Sequence, residues 1–224
     1  MNALVIMHVE SEGPGTLGEF LKSYDFTIKT ARVYKGDDLP KNTNSYDLVI
    51  SMGGPMNVDE EDRYPFLADE KRFLKNVIES NTPVIGICPD AQMITRALGS
   101  SVYKADTKEI GLGDIFLVDE GKREPIFRGL PENFTIIHWH EDTFDLPNGA
   151  KLLASSKDCK NQAFRYRNAY GFQFHIEVNY KMVAEWFDDS SNKDEILKRF
   201  KEIEDSYLSR AYMIYGNFMK SMYK

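Results

Sequence analysis

Pro83-Val84-Ile85-Gly86-Ile87-Cys88-Pro89-Asp90-Ala91-Gln92-Met93 decides the fold. Its first half is short and almost wholly apolar, as a strand covered on both sides must be, and residues 90–98 resume a helical pattern. A strand that delivers a cysteine into a sharp turn before a helix resembles a nucleophile elbow, which lifts the reactive atom above the sheet. Toward the N-terminus the same alternation repeats. Residues 3–9, 27–33 and 46–51 read as strands, with a short helix over 17–21 and a longer one over 65–79 whose Leu67, Leu74, Val77 and Ile78 mark one face. This order predicts an α/β three-layer sandwich around a largely parallel sheet.

Toward the C-terminus the pattern is less regular. Strands are expected near 113–118, 135–139 and 151–154, followed by a hairpin of 163–167 and 170–178. Beyond Asn179 the chain is helical: a short helix carrying Met182, Val183, Trp186 and Phe187, a second with Ile196, Leu197, Phe200 and Ile203, and a third segment with Leu208, Ala211, Tyr212, Tyr215, Met219 and Met222. We divide the chain into a domain over 1–185 and a helical extension over 186–224, whose apolar stripe either packs on the domain or forms a homodimer interface.

Composition narrows the function. A chain of 224 residues buries roughly 70% of its extended surface, so its core needs neither disulfides nor metals. With 28 Lys and Arg against 35 Asp and Glu, the net charge of −7 gives no electrostatic reason to bind nucleic acid. No apolar run approaches the roughly 20 residues of a membrane span, and residues 1–10 read as a first strand rather than a secretory leader. A cytoplasmic location, where Cys88 and Cys159 stay reduced, is the expectation.

Three stretches carry chemistry. Cys88 is the candidate nucleophile, its plain alternative being a buried small hydrophobe. On a strand, His175 and Glu177 would share a face, so that Glu177 fixes the tautomer of an imidazole that takes the thiol proton; the alternative is an ordinary buried histidine. Gly53-Gly54-Pro55 ends the third strand and permits close approach of backbone N–H groups to a developing oxyanion, or is a plain tight turn. Neither a P-loop nor a dinucleotide fingerprint is present. His138, His140 and Asp142 can imitate a metal site, but no metal or cofactor is expected; Cys159 reads as an ordinary thiol without acid-base neighbours, and His8 as structural.

Taken together, the motifs GGPM at 53–56, GIC at 86–88 with Gln92 and ALG at 97–99, HWHEDTFDLP at 138–147, NQAF at 161–164 and GFQFHIE at 171–177 resemble the class I, triad-type glutamine amidotransferases, especially stand-alone proteins similar to the amidotransferase domain of GMP synthase. The resemblance covers about residues 1–185 and implies the flavodoxin-like fold of that family. It implies Cys88 as nucleophile, His175 as base and Glu177 as its orienter, Gly53, Gly54 and Pro55 in the oxyanion loop, and Gln92 near the substrate. The implied substrate is glutamine or a γ-glutamyl compound, cleaved through a Cys88 thioester, with ammonia passed to a separate synthetase or simply released.

Two residues depart from the family pattern, which has an apolar residue and then glycine after the cysteine. Pro89 has no N–H to give an oxyanion hole, and Asp90 brings a carboxylate beside the thiol. Both are good helix starters. The expectation is weak hydrolysis, with a catalytically impaired homologue that binds or regulates a partner as the alternative.

Overall fold

Alternate residues of the first strand, β1 (Asn2–Met7), face opposite sides of the sheet: Ala3 and Val5 enter one apolar cluster, Leu4 and Ile6 another, and all four are buried. Both faces therefore need cover. A computed structural model, describing residues 1–222 apart from the side chain of Asn44, supplies it. Helices α1 (Gly15–Ser23) and α6 (Lys193–Met222) lie on one face; α2 (Phe66–Glu79) and α3 (Pro89–Ala97) lie on the other. Two short helices, α4 (Asp119–Arg123) and α5 (Tyr180–Trp186), complete the set.

The remaining strands are β2 (Thr27–Arg32), β3 (Leu48–Ser51), β4 (Val84–Ile87), β5 (Val102–Leu117), β6 (Asn133–Phe144), β7 (Lys151–Ser155), β8 (Ala163–Tyr166) and β9 (Ala169–Phe172). They form one sheet in the order β2-β1-β3-β4-β9-β8-β7-β5-β6. From β2 to β9 the strands are parallel; from β9 outward every pairing is antiparallel. The sheet is thus mixed rather than largely parallel, with helices on its two faces and a helical extension at the C-terminus.

Three elements differ from their sequence reading. β5 and β6 are much longer than the expected 113–118 and 135–139, pairing from Val102↔Phe144 to Phe116↔Asn133 with an irregularity between Lys104 and Glu109. The outer part of β5 is mostly solvated and polar, so it has no apolar alternation to announce it. The tail beyond residue 193 is one helix, not two: Ser206, between the two stripes, bonds its hydroxyl to the Ile203 carbonyl and stays within the helix. Its stripe of Phe200, Tyr207, Ala211, Ile214, Tyr215, Phe218 and Met219 is buried in the same apolar cluster as the sheet residues Val5, Ile50 and Phe172, so the extension covers this chain's own sheet. Third, residues 173–178 are not strand: β9 stops at Phe172.

Candidate active site

The carboxyl ends of β1, β3, β4 and β9 bring His8, the Ser51-to-Pro55 turn, Cys88 and the 173–178 segment to one rim of the sheet. An open α/β sheet offers its crevice at that rim, where the chain order reverses; here the reversal falls at β1, between β2 and β3.

Cys88 sits at the elbow between β4 and α3 with φ +58° and ψ −116°. A side-chain-bearing residue there stores about 1–3 kcal/mol of strain, which persists only where the surroundings impose it. They do so here. Its N–H donates to the Phe172 carbonyl at 2.7 Å, extending the β4–β9 pairing into the turn, while Pro89 fixes the first helical φ. Gly86 lets the helix close on the strand, since a Cβ there would lie 2.7 Å from the Asp90 carbonyl oxygen.

The shared strand face expected for His175 and Glu177 does not exist, because the chain has left β9; His175 makes only an isolated bridge to Ile137. The two meet nonetheless. Glu177 folds back so that Oε1 lies 2.8 Å from His175 Nδ1, and its Oε2 accepts the Ile176 N–H at 2.9 Å. Backbone released from a sheet must find other partners. Tyr207 Oη donates to the His175 carbonyl at 2.7 Å, Tyr215 Oη to the Ile176 carbonyl at 2.8 Å, and the N–H and hydroxyl of Thr16 to the Glu177 carbonyl. The C-terminal helix therefore holds this segment, which repeats and strand patterns in the sequence give no means of foreseeing.

Cys88 and His175 border one cavity of 210 Å³, with Gly54 and Pro55 on one wall and Trp139 and Trp186 on another. The Trp186 ring stands edge-on to His175 at 4.7 Å between centroids. With Nδ1 committed to Glu177, Nε2 is the nitrogen left for chemistry. Burial disfavours the imidazolium, but the adjacent Glu177 carboxylate outweighs it and raises the His175 pKa. Cys88 is 5% exposed as a residue, and its thiol lies 3.2 Å from the Trp139 carbonyl, to which it donates. Burial first, then the carboxylates of Glu12 and Glu177, push its pKa well above the ordinary thiol value. This is the resting protonated form.

Glu12 is a residue the sequence reading missed. Its carboxylate lines the same cavity and lies against Gly53, where a Cβ would fall 2.0 Å from Oε2. Its own pKa is raised by burial. Gln92 borders a wider cleft of 540 Å³ that shares Cys88, Gly54 and Trp139 with the inner cavity. Its amide already donates to Gln173 Oε1 at 3.1 Å and to the Asp142 carbonyl at 3.3 Å.

Asp90 is buried in a polar cluster with Ser51, His8 and Glu70. There it meets Ser51 at 2.7 Å and His8 at 3.3 Å, while Glu70 bonds to Ser51 at 2.6 Å and to His8 Nε2 at 2.7 Å. Ser51 has one hydroxyl hydrogen for two carboxyl oxygens, so one carboxyl must itself be the acid. Burial raises Asp90 well above the carboxylate range and marks it as that acid. For His8, burial is outweighed by Glu70 and Asp90, and its pKa rises to about 10. Asp90 still adds to the rise in the Cys88 pKa, after burial, Glu12 and Glu177, as its position beside the thiol in sequence leads one to expect.

Cys159 is not isolated, as its sequence suggests. Its sulfur, His140 and Glu109 bring ligand atoms within 4.8 Å of one another. His140 Nε2 lies 3.1 Å from Glu109 Oε2, the Gln162 amide nitrogen is wedged against both, and Thr143 Oγ1 is 3.3 Å from the sulfur. Among the described residues, the ligand atoms that gather around His140 are those of Glu109 and Cys159 rather than those of His138 and Asp142; Asp142 is engaged by Asn57 and Lys104.

An elbow cysteine, a carboxylate-held histidine and a glycine turn thus meet at one rim of an α/β sheet. The model of the class I glutamine amidotransferase family matches residues 17–188, and the chain belongs to that family. It is 33% identical over 187 residues, 82% of this chain and 78% of the other, to the glutamine amidotransferase-like protein YfeJ of Salmonella typhimurium. It is similar also to the glutamine-hydrolyzing GMP synthase of Macrococcus caseolyticus, 36% over 143 residues, which are 62% of this chain but 26% of that one. The crystal structure of a glutamine amidotransferase from Thermotoga maritima superposes with a TM-score of 0.89 at 30% identity, covering 100% of this chain and 99% of that one.

Proposed function

We propose that this protein hydrolyses the side-chain amide of glutamine or of a γ-glutamyl compound, with Cys88 as nucleophile, His175 as base and then acid, and Glu177 as its orienter. The observation that carries the reading is the strained elbow of Cys88 facing the same cavity as a histidine whose other nitrogen is held at 2.8 Å by a carboxylate.

The thiol first leaves the Trp139 carbonyl and gives its proton to His175 Nε2. The thiolate then adds to the amide carbon, and the carbonyl π electrons move to oxygen, which the N–H groups of the Gly53-Gly54 turn receive. Collapse breaks the C–N bond as His175 returns the proton to the departing nitrogen, leaving a thioester and ammonia or an amine. Water, deprotonated by His175, adds to the thioester carbon; the C–S bond then breaks as His175 returns that proton to the sulfur, which releases the γ-carboxylic acid and restores the thiol. Gln92 borders the approach for the substrate. We read residues 1–185 as the catalytic unit, 186–224 as its support and the cytoplasm as its location. Released ammonia passes to a separate synthetase or escapes; among the described residues no helix is long and apolar enough to cross a membrane.

The missing N–H of Pro89 is expected to slow hydrolysis. One missing oxyanion donor costs about 10²–10³ in kcat. The same absence equally favours a second reading, a binding or regulatory homologue without turnover. The deciding experiment follows ammonia release from glutamine and amine release from γ-glutamyl-p-nitroanilide, with mass spectrometry for a Cys88 acyl adduct. Slow turnover with an adduct supports the hydrolase; neither turnover nor adduct leaves the second reading.

A further inference from the structure

The backbone donors around the thiol can be counted. Pro55 and Pro89 have none, the Met52 N–H goes to the Ile6 carbonyl, and the Cys88 N–H goes to Phe172. In the turn 52–55 and the elbow 88–89, Gly53 and Gly54 supply the two N–H groups that remain. Both stand on peptides whose carbonyls are held from behind: His8 Nδ1 lies 2.9 Å from the Met52 oxygen and 3.3 Å from the Gly53 oxygen. Carbonyl oxygens only accept, so Nδ1 carries a hydrogen. A planar trans peptide points its C=O and N–H in opposite directions. Holding the Met52 and Gly53 carbonyls on the His8 side therefore turns the Gly53 and Gly54 N–H groups the other way, and Gly54 borders the cavity of Cys88 and His175.

We propose that His8 is the positioning residue of the oxyanion loop: clamped by Glu70 and Asp90, it fixes the Met52–Gly53 and Gly53–Gly54 peptides so that their N–H groups form the anion site that Pro89 cannot complete. The clamp is built for this. Nε2 is 2.7 Å from Glu70 Oε2, Asp90 Oδ2 is 3.3 Å from Nδ1, Ser51 ties the two carboxyls together, and all four residues are at most 3% exposed. Asp90 is one of the two departures from the family pattern and Pro89 the other. Adjacent in sequence, they act in opposite senses: one removes a donor and the other helps hold the donors that are left. The inference rests on the hydrolase reading above.

Two isosteric variants of the full chain test it. In His8→Asn the amide nitrogen takes the place of Nδ1; in His8→Gln it takes the place of Nε2. His8→Gln is expected to lower kcat for γ-glutamyl-p-nitroanilide by about tenfold to a hundredfold with KM within about twofold, less than or equal to the loss of a whole donor, while His8→Asn recovers most of it. Alkylation of Cys88 by iodoacetamide develops no oxyanion, so its limiting rate at high pH, where the thiol is fully ionised, is expected to stay unchanged in both. Equal losses in the two variants, or turnover and alkylation falling together, would overturn the proposal in favour of a merely structural histidine. Where the variants do not fold, the wild-type protein carries the test: the aldehyde analogue of glutamine, bound as a hemithioacetal at Cys88, is expected to shift the Gly53 and Gly54 amide proton resonances downfield, and unmoved amides refute the role. A wild-type chain with neither turnover nor adduct at Cys88 refutes the underlying hydrolase reading; an active wild type with a silent His8→Gln refutes only the inference.

Discussion

Two cysteine, histidine and glutamate clusters lie in one chain, Cys88 with His175 and Glu177, and Cys159 with His140 and Glu109. Residue types do not separate them. In the first, the carboxylate occupies Nδ1 and leaves Nε2 beside a cavity that the thiol also borders. In the second, Glu109 and the Gln162 amide both crowd His140 Nε2, Nδ1 faces the Asp142 carbonyl, and the thiol is held by Thr143. Backbone separates them further: Cys88 is forced to φ +58° at a strand end, whereas Cys159 lies in the loop between β7 and β8, its N–H taken by the Ser156 hydroxyl at 2.9 Å. A reactive constellation needs a free nitrogen, an opening and an imposed geometry as well as the right side chains.

The contrast is broken most directly by exchanging the sulfurs. Cys88→Ala is expected to abolish amide hydrolysis, by about 10⁴-fold or more, while Cys159→Ala stays within about twofold; ammonia-release assays on both decide it. Next in size, Glu177→Gln is expected to cost about 10²–10⁴ in kcat by removing the charge that stabilises the His175 imidazolium, and Glu109→Gln to cost almost nothing. An equal effect of the two would erase the distinction drawn here. Pro89→Ala, which restores an N–H at the elbow, is expected to raise kcat by about tenfold or more, provided Cys88 keeps its dihedral angles; steady-state kinetics and a structure of the variant check both halves.

Smaller effects sharpen the picture. Since burial and then Glu12 and Glu177 raise the Cys88 pKa, the thiolate fraction and the iodoacetamide rate are expected to climb through and beyond pH 9. Glu12→Gln removes a negative charge, favours the thiolate and is expected to move that climb to lower pH; a curve that does not move would show that Glu12 exerts no field on the sulfur. Smallest of all, Tyr207→Phe deletes the hydroxyl that serves the His175 carbonyl and is expected to cost about 1 kcal/mol in unfolding free energy, with a few-fold drop in kcat.

Much of this was legible in the sequence because the parallel half is written in short apolar runs ending at Ser51 and Cys88, and because the GGPM, GIC and HIE stretches keep a family order. The antiparallel half was less so. Val102 to Leu112 carries its strand on backbone pairing with solvated side chains, which leaves no period to read. The His175–Glu177 contact was foreseen for the wrong reason, since a carboxylate folding back on its own segment gives the same spacing as a shared strand face. Glu12, and the union of His8 with Glu70 and Asp90, depend on which strand ends become neighbours, and nothing local in the sequence announces them.

The hydroxyl that ties down the His175 carbonyl comes from a residue 32 positions later, and the one on the Ile176 carbonyl from 39 positions after its partner. A chain emerging from the ribosome thus completes its sheet, its elbow and its histidine before it owns the groups that steady them. A protease cut that frees the last helix is therefore expected to release the His175–Glu177 segment and to bare the sheet face that the helix covers, so that activity and stability fall together.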